Sequence, residues 1–257
     1  MIDLHCHVLP GIDDGPQSIE GSLALARAAV AAGIDTLVAT PHVSSRYRND
    51  SENIARLVGE LNTRLLSEEV ELEVRAGAEI AMTSLAELDP GELARLGLGG
   101  GQWLLVEPPF TEVARGLDAV LLEFQRSGHR ILLAHPERCR AFHREPRMLE
   151  SLVRGGVLTS ITAGSLIGRF GREVRRFALQ LARDGMIHNV TSDAHDHDQR
   201  PPGLARELEQ AGLGGDLAQW LTDAVPTAIL SGGEIPRRPS QPVLEVEPTR
   251  RRWRLRR

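Results

Sequence analysis

The sequence predicts a parallel α/β protein, a (β/α) barrel rather than an open sheet. Two observations carry that expectation. About seven short apolar strands alternate with helical stretches along most of the chain. The residues suited to metal chemistry, His5/His7, His42, Glu79, Glu107, His135 and Asp193/His195, each fall at or just past the C-terminal end of one of those strands. That is the face on which a (β/α) barrel carries its active site. One such placement would mean little, whereas six are hard to explain by packing.

The elements follow in order. Residues 2–5 are a short strand. Ser18 caps a helix through residue 32, which Gly33 closes. Residues 36–40 form a buried strand that delivers Pro41 and His42. Ile54, Leu57, Leu61 and Leu65 repeat at helical spacing within 50–67. Residues 70–76 alternate glutamate with apolar side chains and lead into Gly77-Ala78-Glu79. The strand 103–106 delivers Glu107, a helix spans 113–127, and the strand 130–134 delivers His135-Pro136. A helix at 146–154, a strand at 157–161 and a long helix at 171–184 follow. The strand 187–191 delivers Ser192-Asp193, and helices at 201–211 and 214–222 close a domain of residues 1–234. Prolines at 236, 239, 242 and 248 then mark 235–257 as an irregular, disordered linker and tail. The barrel is expected to be complete without residues 236–257.

Composition narrows the chemistry. All 30 basic residues are arginine, a pattern that a GC-rich coding bias explains. It still excludes a Schiff-base lysine and a Walker-type phosphate lysine. Cys6 and Cys139 cannot make a disulfide scaffold and suit a reducing cytosol. No apolar stretch approaches the roughly 20 residues that cross a bilayer, and no secretory signal opens the chain. A cytoplasmic protein is expected. The net charge is −5, with six arginines crowded into 250–257. The body is therefore more acidic than the average and offers no broad nucleic-acid surface. The arginine tail has the charge to touch acidic lipid, nucleic acid or an acidic partner, but a solubilising end explains it as well.

His5-x-His7 at a strand end points two imidazoles the same way, and Asp193-x-His195 does the same for a carboxylate and an imidazole. Imidazoles mixed with carboxylates suit zinc, manganese or iron, and open sites of this mix serve hydrolysis. Among the other histidines, His129 and His188 read as helix-end or core residues, and His143 and His197 as loop residues. Cys6, between two candidate ligands, should face away into the packing, and Cys139 reads as loop or core. A cysteine-based phosphatase needs an arginine six positions beyond its thiolate. Ile12 and Glu145 stand there instead, so that mechanism is absent.

Taken with Gly11-Ile12-Asp13-Asp14-Gly15, Thr40-Pro41-His42, Gly77-Ala78-Glu79-Ile80, Glu107, Ala134-His135-Pro136-Glu137-Arg138 and Ser192-Asp193-Ala194-His195, the chain resembles the PHP (polymerase and histidinol phosphatase) superfamily. Within it the chain resembles bacterial manganese-dependent protein tyrosine phosphatases of capsule and exopolysaccharide gene clusters, over residues 1–232. The resemblance implies a distorted (β/α)7 barrel with a trinuclear metal site. His5, His7, Glu79 and Asp193 would hold one ion. Glu79 would bridge to a second, shared with Glu107 and His135. A third would take His42, His195 and a carboxylate from the Asp13-Asp14 pair, with Asp14 favoured. Manganese is implied, with iron, zinc or magnesium as alternatives.

Phosphate chemistry also needs cations for the oxygens that metals leave uncovered. Arg138, just past His135, and Arg200, after the Asp-x-His strand, are placed for this, with Arg46 a third candidate. Arg138 and Arg200 thus join Asp193 as candidate catalytic residues. A phenolate leaving group has a conjugate-acid pKa near 10, so no dedicated general acid is demanded, and whether Asp193 helps stays open. The implied substrate is a phosphotyrosine protein, the tyrosine-rich tail of a bacterial tyrosine kinase controlling polysaccharide export. A histidinol-phosphate or other small-molecule phosphatase is the alternative, and a non-catalytic PHP module is a further one. Val43-Ser44-Ser45 departs from the His-rich or basic loop often found after His42.

Overall fold

The computed structural model describes residues 1–111 and 116–240. Nine strands occur among them: β1 (Ile2–Cys6), β2 (Thr36–Ala39), β3 (His42–Val43), β4 (Glu73–Ala76), β5 (Glu79–Ala81), β6 (Trp103–Glu107), β7 (Arg130–Ala134), β8 (Leu158–Thr162) and β9 (Asn189–Thr191). All pair in parallel, as a three-stranded sheet β1-β2-β4 and a six-stranded sheet β3-β5-β6-β7-β8-β9. β3 continues the path of β2 after Thr40-Pro41, and β5 continues β4 after Gly77-Ala78, so the nine strands make seven staves. At the far side His7 N–H donates to Ala194 O at 2.8 Å and Asp193 N–H to His5 O at 3.0 Å. These bonds join the first stave to the last and close the ring. The expectation of seven staves holds, with two of them broken.

The middle staves are apolar on both faces. Leu37 to Ala39, Leu104 to Val106 and Ile131 to Ala134 are all essentially inaccessible to solvent, as parallel strands covered on both sides must be. β8 and β9 differ. Their Ser160 donates to Asn189 Oδ1 at 2.8 Å, and Asn189 Nδ2 donates on to Leu221 O at 3.0 Å. These buried polar groups are satisfied by one another, so they avoid the penalty of an unpaired buried amide.

The helices obey their sequence signals closely at the start of the chain. Ser18 accepts from Gly21 N–H at the head of the helix Ile19–Ala31, and Gly33 follows its end with φ +80°. Asp50 accepts from Asn53 N–H at 2.8 Å to open Ser51–Ser67. That helix buries Ile54, Leu57, Val58, Leu61 and Leu65, each worth roughly 1.5–3 kcal/mol of transfer free energy. The later helices with sequence support are Leu117–Arg126, Pro146–Arg154 and Arg172–Arg183. The expected start of the first of these, at residue 113, lies outside the described residues.

Several boundaries move for identifiable reasons. The alternation from residue 70 becomes strand only at Glu73. Before it, Glu69 takes φ +53° and Val70 N–H returns to Leu65 O, so the first residues of the pattern finish the helix instead. The expected helix at 201–211 is only Ala205–Gln210. The one at 214–222 runs on as Gly215–Gln219, a π turn at Trp220–Ala224 and a helix Val225–Ser231. Pro226 lacks the N–H that an uninterrupted α-helix would use, and the wider π turn just before it relieves the clash. Past the expected boundary at 234, the chain stays docked. Trp220 Nε1 donates to Pro236 O at 2.9 Å, and Arg238 donates to Ile187 O at 2.9 Å and Ala182 O at 3.1 Å. The linker therefore begins as part of the barrel wall, while the arginine tail at 250–257 lies outside the described residues. Among the described residues no helix is long and apolar enough to cross a membrane.

Candidate metal centre

β1 ends in Leu4-His5-Cys6 and His7 follows directly, and the alternation sends both imidazoles to one side and Cys6 to the other. His5 Nε2 and His7 Nε2 come to 3.2 Å of each other. Cys6 is fully buried with its thiol against Ala194 O. The same alternation reaches back one step further to Asp3, whose role sequence reasoning missed. Asp3 is buried, accepts from His5 N–H at 3.2 Å and Ser192 N–H at 3.1 Å, and also takes the Ser192 hydroxyl. It ties the strand carrying His-x-His to the turn carrying Asp-x-His. Burial pushes its carboxyl up to about 6 despite those hydrogen bonds.

β5 brings Glu79 beneath the histidines. Its Oε1 meets His135 Nε2 at 2.8 Å. Its Oε2 has His42 Nδ1 at 3.0 Å and both His5 Nε2 and His7 Nε2 at 3.3 Å. None of those three contacts has hydrogen-bond geometry, so Glu79 Oε2 is a buried acceptor with no donor. Burial raises the Glu79 carboxyl, but His5, His135 and His42 outweigh it and hold the group well below the usual carboxylate range. Glu107, half-buried at the end of β6, lies 3.8 Å from His135 Nε2. Burial and the neighbouring Glu79 charge push its carboxyl up to about 7.

The loop after β1 separates the two adjacent aspartates. Asp13 turns inward, accepting from His7 Nδ1 at 2.7 Å, Gly15 N–H at 2.9 Å and His42 N–H at 3.1 Å. Asp14 turns the other way, with its Oδ1 3.4 Å from both His42 Nε2 and His195 Nε2. The His195 imidazole beside it, with His42 and His7, holds its carboxyl far below the usual range. Asp13 therefore orients an imidazole, and Asp14 joins the group that could hold an ion. Asn49 fastens this loop by donating to Ile12 O at 3.0 Å and His42 O at 2.8 Å. Sequence offered no signal for Asn49.

His135 and Asp193 both leave their strands in the left-handed region, with φ +31° and +50°. For residues with a Cβ that conformation costs free energy and clusters at functional sites. Asp193 Oδ1 lies 3.5 Å from His5 Nε2 and 3.6 Å from His7 Nε2. Its Oδ2 takes 2.7 Å contacts from Arg138 and from Arg200, and Arg200 also donates to Asp193 O at 3.1 Å. His195 Nδ1 is 3.0 Å from that same carbonyl. A carbonyl only accepts, so Nδ1 carries the proton and Nε2 is left facing Asp14.

Four overlapping groups of potential ligand atoms result: His7, Asp14, His42 and His195; His5, His7 and Asp193; His5, Glu79 and His135; and His42, Glu79 and Glu107. The donor set is imidazole and carboxylate oxygen without thiol, which fits divalent manganese, iron or zinc. Burial disfavours a charged His7 ring, yet Asp13, Asp193 and Glu79 around it raise its affinity for positive charge well above normal. A metal ion satisfies those carboxylates as a proton does. The orphaned Glu79 Oε2 points the same way.

Around the rim, the Arg138 guanidinium stacks 4.5 Å from the Phe170 ring and 5.2 Å from Phe110, and Phe110 lies parallel to His135. Arg200 Nε is buried and has no partner. Arg46 stands apart from these two arginines. It is exposed and sits 4.9 Å over Tyr47, whose ring stacks on His42. Glu137, fully buried, accepts from Thr162 N–H at 3.0 Å and Ser165 Oγ at 2.6 Å, and so anchors the turn that presents Arg138. His143 is helical rather than in a loop, with Nε2 donating to Glu137 O at 2.6 Å and its ring against Phe177. His188 is packed under Thr159, His129 follows a helix end beside Phe124, and His197 is exposed in a bend. Cys139 is core. A cleft of about 860 Å³ between Ser51–Ser67 and Pro90–Arg95 is lined by none of the candidate ligands named above.

Comparisons with known proteins agree with this geometry. The family model for capsular polysaccharide synthesis, CpsB/CapC, matches residues 1–230. The tyrosine-protein phosphatase YwqE of Bacillus subtilis (strain 168) is 37% identical over 246 residues, 95% of this chain and 96% of that one. The putative tyrosine-protein phosphatase CapC of Staphylococcus aureus is 33% identical, covering 78% of this chain and 79% of its own. A crystal structure from work on YwqE of Bacillus subtilis and CpsB of Streptococcus pneumoniae, described as unique metal-dependent tyrosine phosphatases, superposes with a TM-score of 0.82. It is 35% identical and covers 95% of this chain and 99% of its own. With the match running from the His-x-His strand past the Asp-x-His turn, the chain belongs to the CpsB/CapC family.

Proposed function

We propose that the chain is a metal-dependent phosphohydrolase that removes phosphate from phosphotyrosine in a protein, in the cytoplasm, with manganese as the working ion. The physiological substrate in this reading is a bacterial tyrosine kinase of capsule or exopolysaccharide regulation. The observation that carries the chemistry is the convergence of His5, His7, Asp14, His42, Glu79, Glu107, His135, Asp193 and His195 beside two arginines that share Asp193. The relatives named as tyrosine-protein phosphatases support the substrate class.

His5, His7 and Asp193, with Glu79, would hold one ion. Glu79, Glu107 and His135 would hold a second, and Asp14, His42 and His195 a third. Such ions, when bound, acidify water and neutralise charge on a phosphoryl group. The rest falls to the chain. Asp13 holds the proton of His7 at Nδ1 and so keeps Nε2 for the metal side. Arg138 and Arg200 use one nitrogen each on Asp193 Oδ2, which leaves further donors, among them the unpartnered Arg200 Nε, for phosphoryl oxygens. The exposed Phe110 ring and Phe170 flank that position and offer an apolar wall to a phenyl ring.

The test is reconstitution. Protein stripped with a chelator and reloaded separately with manganese, iron, zinc or magnesium should regain phosphate release from a phosphotyrosine peptide, best with manganese. Release at full rate from stripped protein would contradict the metal role, and a preference for another ion would replace manganese.

A further inference from the structure

Beside the metal centre lies a cleft of about 550 Å³ whose lining, among the described residues, includes Arg138, Arg140, Arg144, Arg172 and Arg176 and one acid, Glu173. Arg138 belongs to both places, because it also reaches Asp193 at 2.7 Å. Arg172 and Arg176 extend the positive charge outward from it. Arg172 and Arg176 are exposed and four residues apart on the helix Arg172–Arg183, so they share a face on which like charges repel. Among the described residues no carboxylate forms an ion pair with either. The helix opens at this cleft from Gly171 with no side-chain cap, so its positive dipole end adds to the field. Gathering five arginines in one cleft is not average behaviour for a chain of net charge −5. The metal chemistry requires only Arg138 of them.

We propose that this cleft is a second anion subsite, which takes an anionic residue of the substrate polypeptide flanking the phosphotyrosine. The chemistry it recognises is a carboxylate or a further phosphate, both of which match the planar guanidinium fork. With the phosphoryl group held between the metals and Arg138, the neighbouring peptide passes over Phe170 into the cleft. There Arg172 and Arg176 lose their mutual repulsion against the bound anion. This inference rests on the phosphotyrosine phosphatase reading and adds a determinant of which phosphotyrosines are taken.

The test uses the full chain loaded with manganese and an Arg172→Glu/Arg176→Glu variant. Position 172 is in the first turn of the helix, where an acidic residue is favoured, and Arg172→Gln/Arg176→Gln serves as a second variant should the first fail to fold. kcat/KM is measured on phenyl phosphate and on three phosphotyrosine peptides, with neutral flanks, with aspartate flanks and with a second phosphotyrosine. Wild type should prefer the anionic peptides to the neutral one by about tenfold, as two surface ion pairs at the upper end of their usual range allow. The variant should lose that preference and keep its rate on phenyl phosphate. The aspartate and phosphotyrosine arms show which anion the cleft prefers. No preference in wild type, or an undiminished one in the variant, overturns the proposal. If no peptide is turned over at all, the phosphatase reading fails on its own, and fluorescence anisotropy of the same labelled peptides decides about the cleft. Salt-sensitive binding lost in the variant keeps the subsite, and equal binding by both proteins removes it.

Discussion

Asp193 divides its carboxylate between two sets of partners. Oδ1 faces His5 and His7, and Oδ2 is clamped by Arg138 and Arg200. Replacing Arg138 with alanine should therefore cut kcat on a phosphotyrosine peptide by about a hundredfold or more, the scale for losing one aligned charge-stabilising donor. The metal content of the purified variant should be unchanged, because the arginine touches the outer oxygen only. Full activity would remove Arg138 from the site. Asp13→Asn should behave oppositely. It weakens the hydrogen bond that fixes the His7 tautomer, and manganese affinity, read by titration, should fall roughly 10–100-fold, as when such orienting partners are lost elsewhere. At this scale the sequence was legible where a strand end dictates direction, as for His-x-His, whereas Asp-x-His lies past the end of β9 and Asp193 turns through φ +50°. The sequence could not separate Asp13 from Asp14, because their opposite orientations are set by how one loop curls over His7. Asp3 was within reach, since the same alternation runs through it.

Loops at the strand ends set how accurately these side chains meet. Gly15 is the tight point in the loop after β1: a Cβ there would lie 2.3 Å from His7 O and 3.0 Å from Asp13 Oδ1. Gly15→Ala must push the Asp13-Asp14 loop away from β1, with an overpacking cost of about 1–3 kcal/mol. A lowered melting temperature together with fewer bound metal ions per chain is the expected result, and an unchanged metal count would show that the loop is more yielding than it looks. The strand–helix alternation was readable because buried parallel strands are short apolar runs between capped helices. The breaks at Thr40-Pro41 and Gly77-Ala78 were not, nor was the π turn before Pro226. Each is a local accommodation that depends on which neighbour the backbone meets.

Residues that composition would assign to a linker dock on the wall of the closed ring. Truncation after residue 240 keeps this docked segment and serves as the reference. Truncation after residue 235 removes three hydrogen bonds made by Pro236 and Arg238. At about 1 kcal/mol each this should lower melting by several degrees, and equal melting of the two truncations would deny the docked segment its role. Prolines signal irregular backbone, but nothing in their spacing reports whether that backbone is packed. The same wall carries a pH response. Burial, helped by the Arg238 charge, pushes the His188 ring down to about 4 from an ordinary 6.5. Between those values the unfolded chain binds a proton that the folded chain refuses, so stability is complete above about pH 6.5 and falls as pH drops toward 4. The urea midpoint should decline across that window, and His188→Gln should flatten the decline. An identical decline in the variant would place the titrating group elsewhere.

The most direct measurement is phosphate release by the purified, manganese-loaded protein from a phosphotyrosine peptide, a phosphoserine peptide and histidinol phosphate, each with and without a chelator. Chelator-sensitive hydrolysis that favours phosphotyrosine is the expected result. Preference for histidinol phosphate would keep the barrel and its metal centre but move the enzyme to small-molecule chemistry. Release from none of the three would contradict the phosphatase assignment itself.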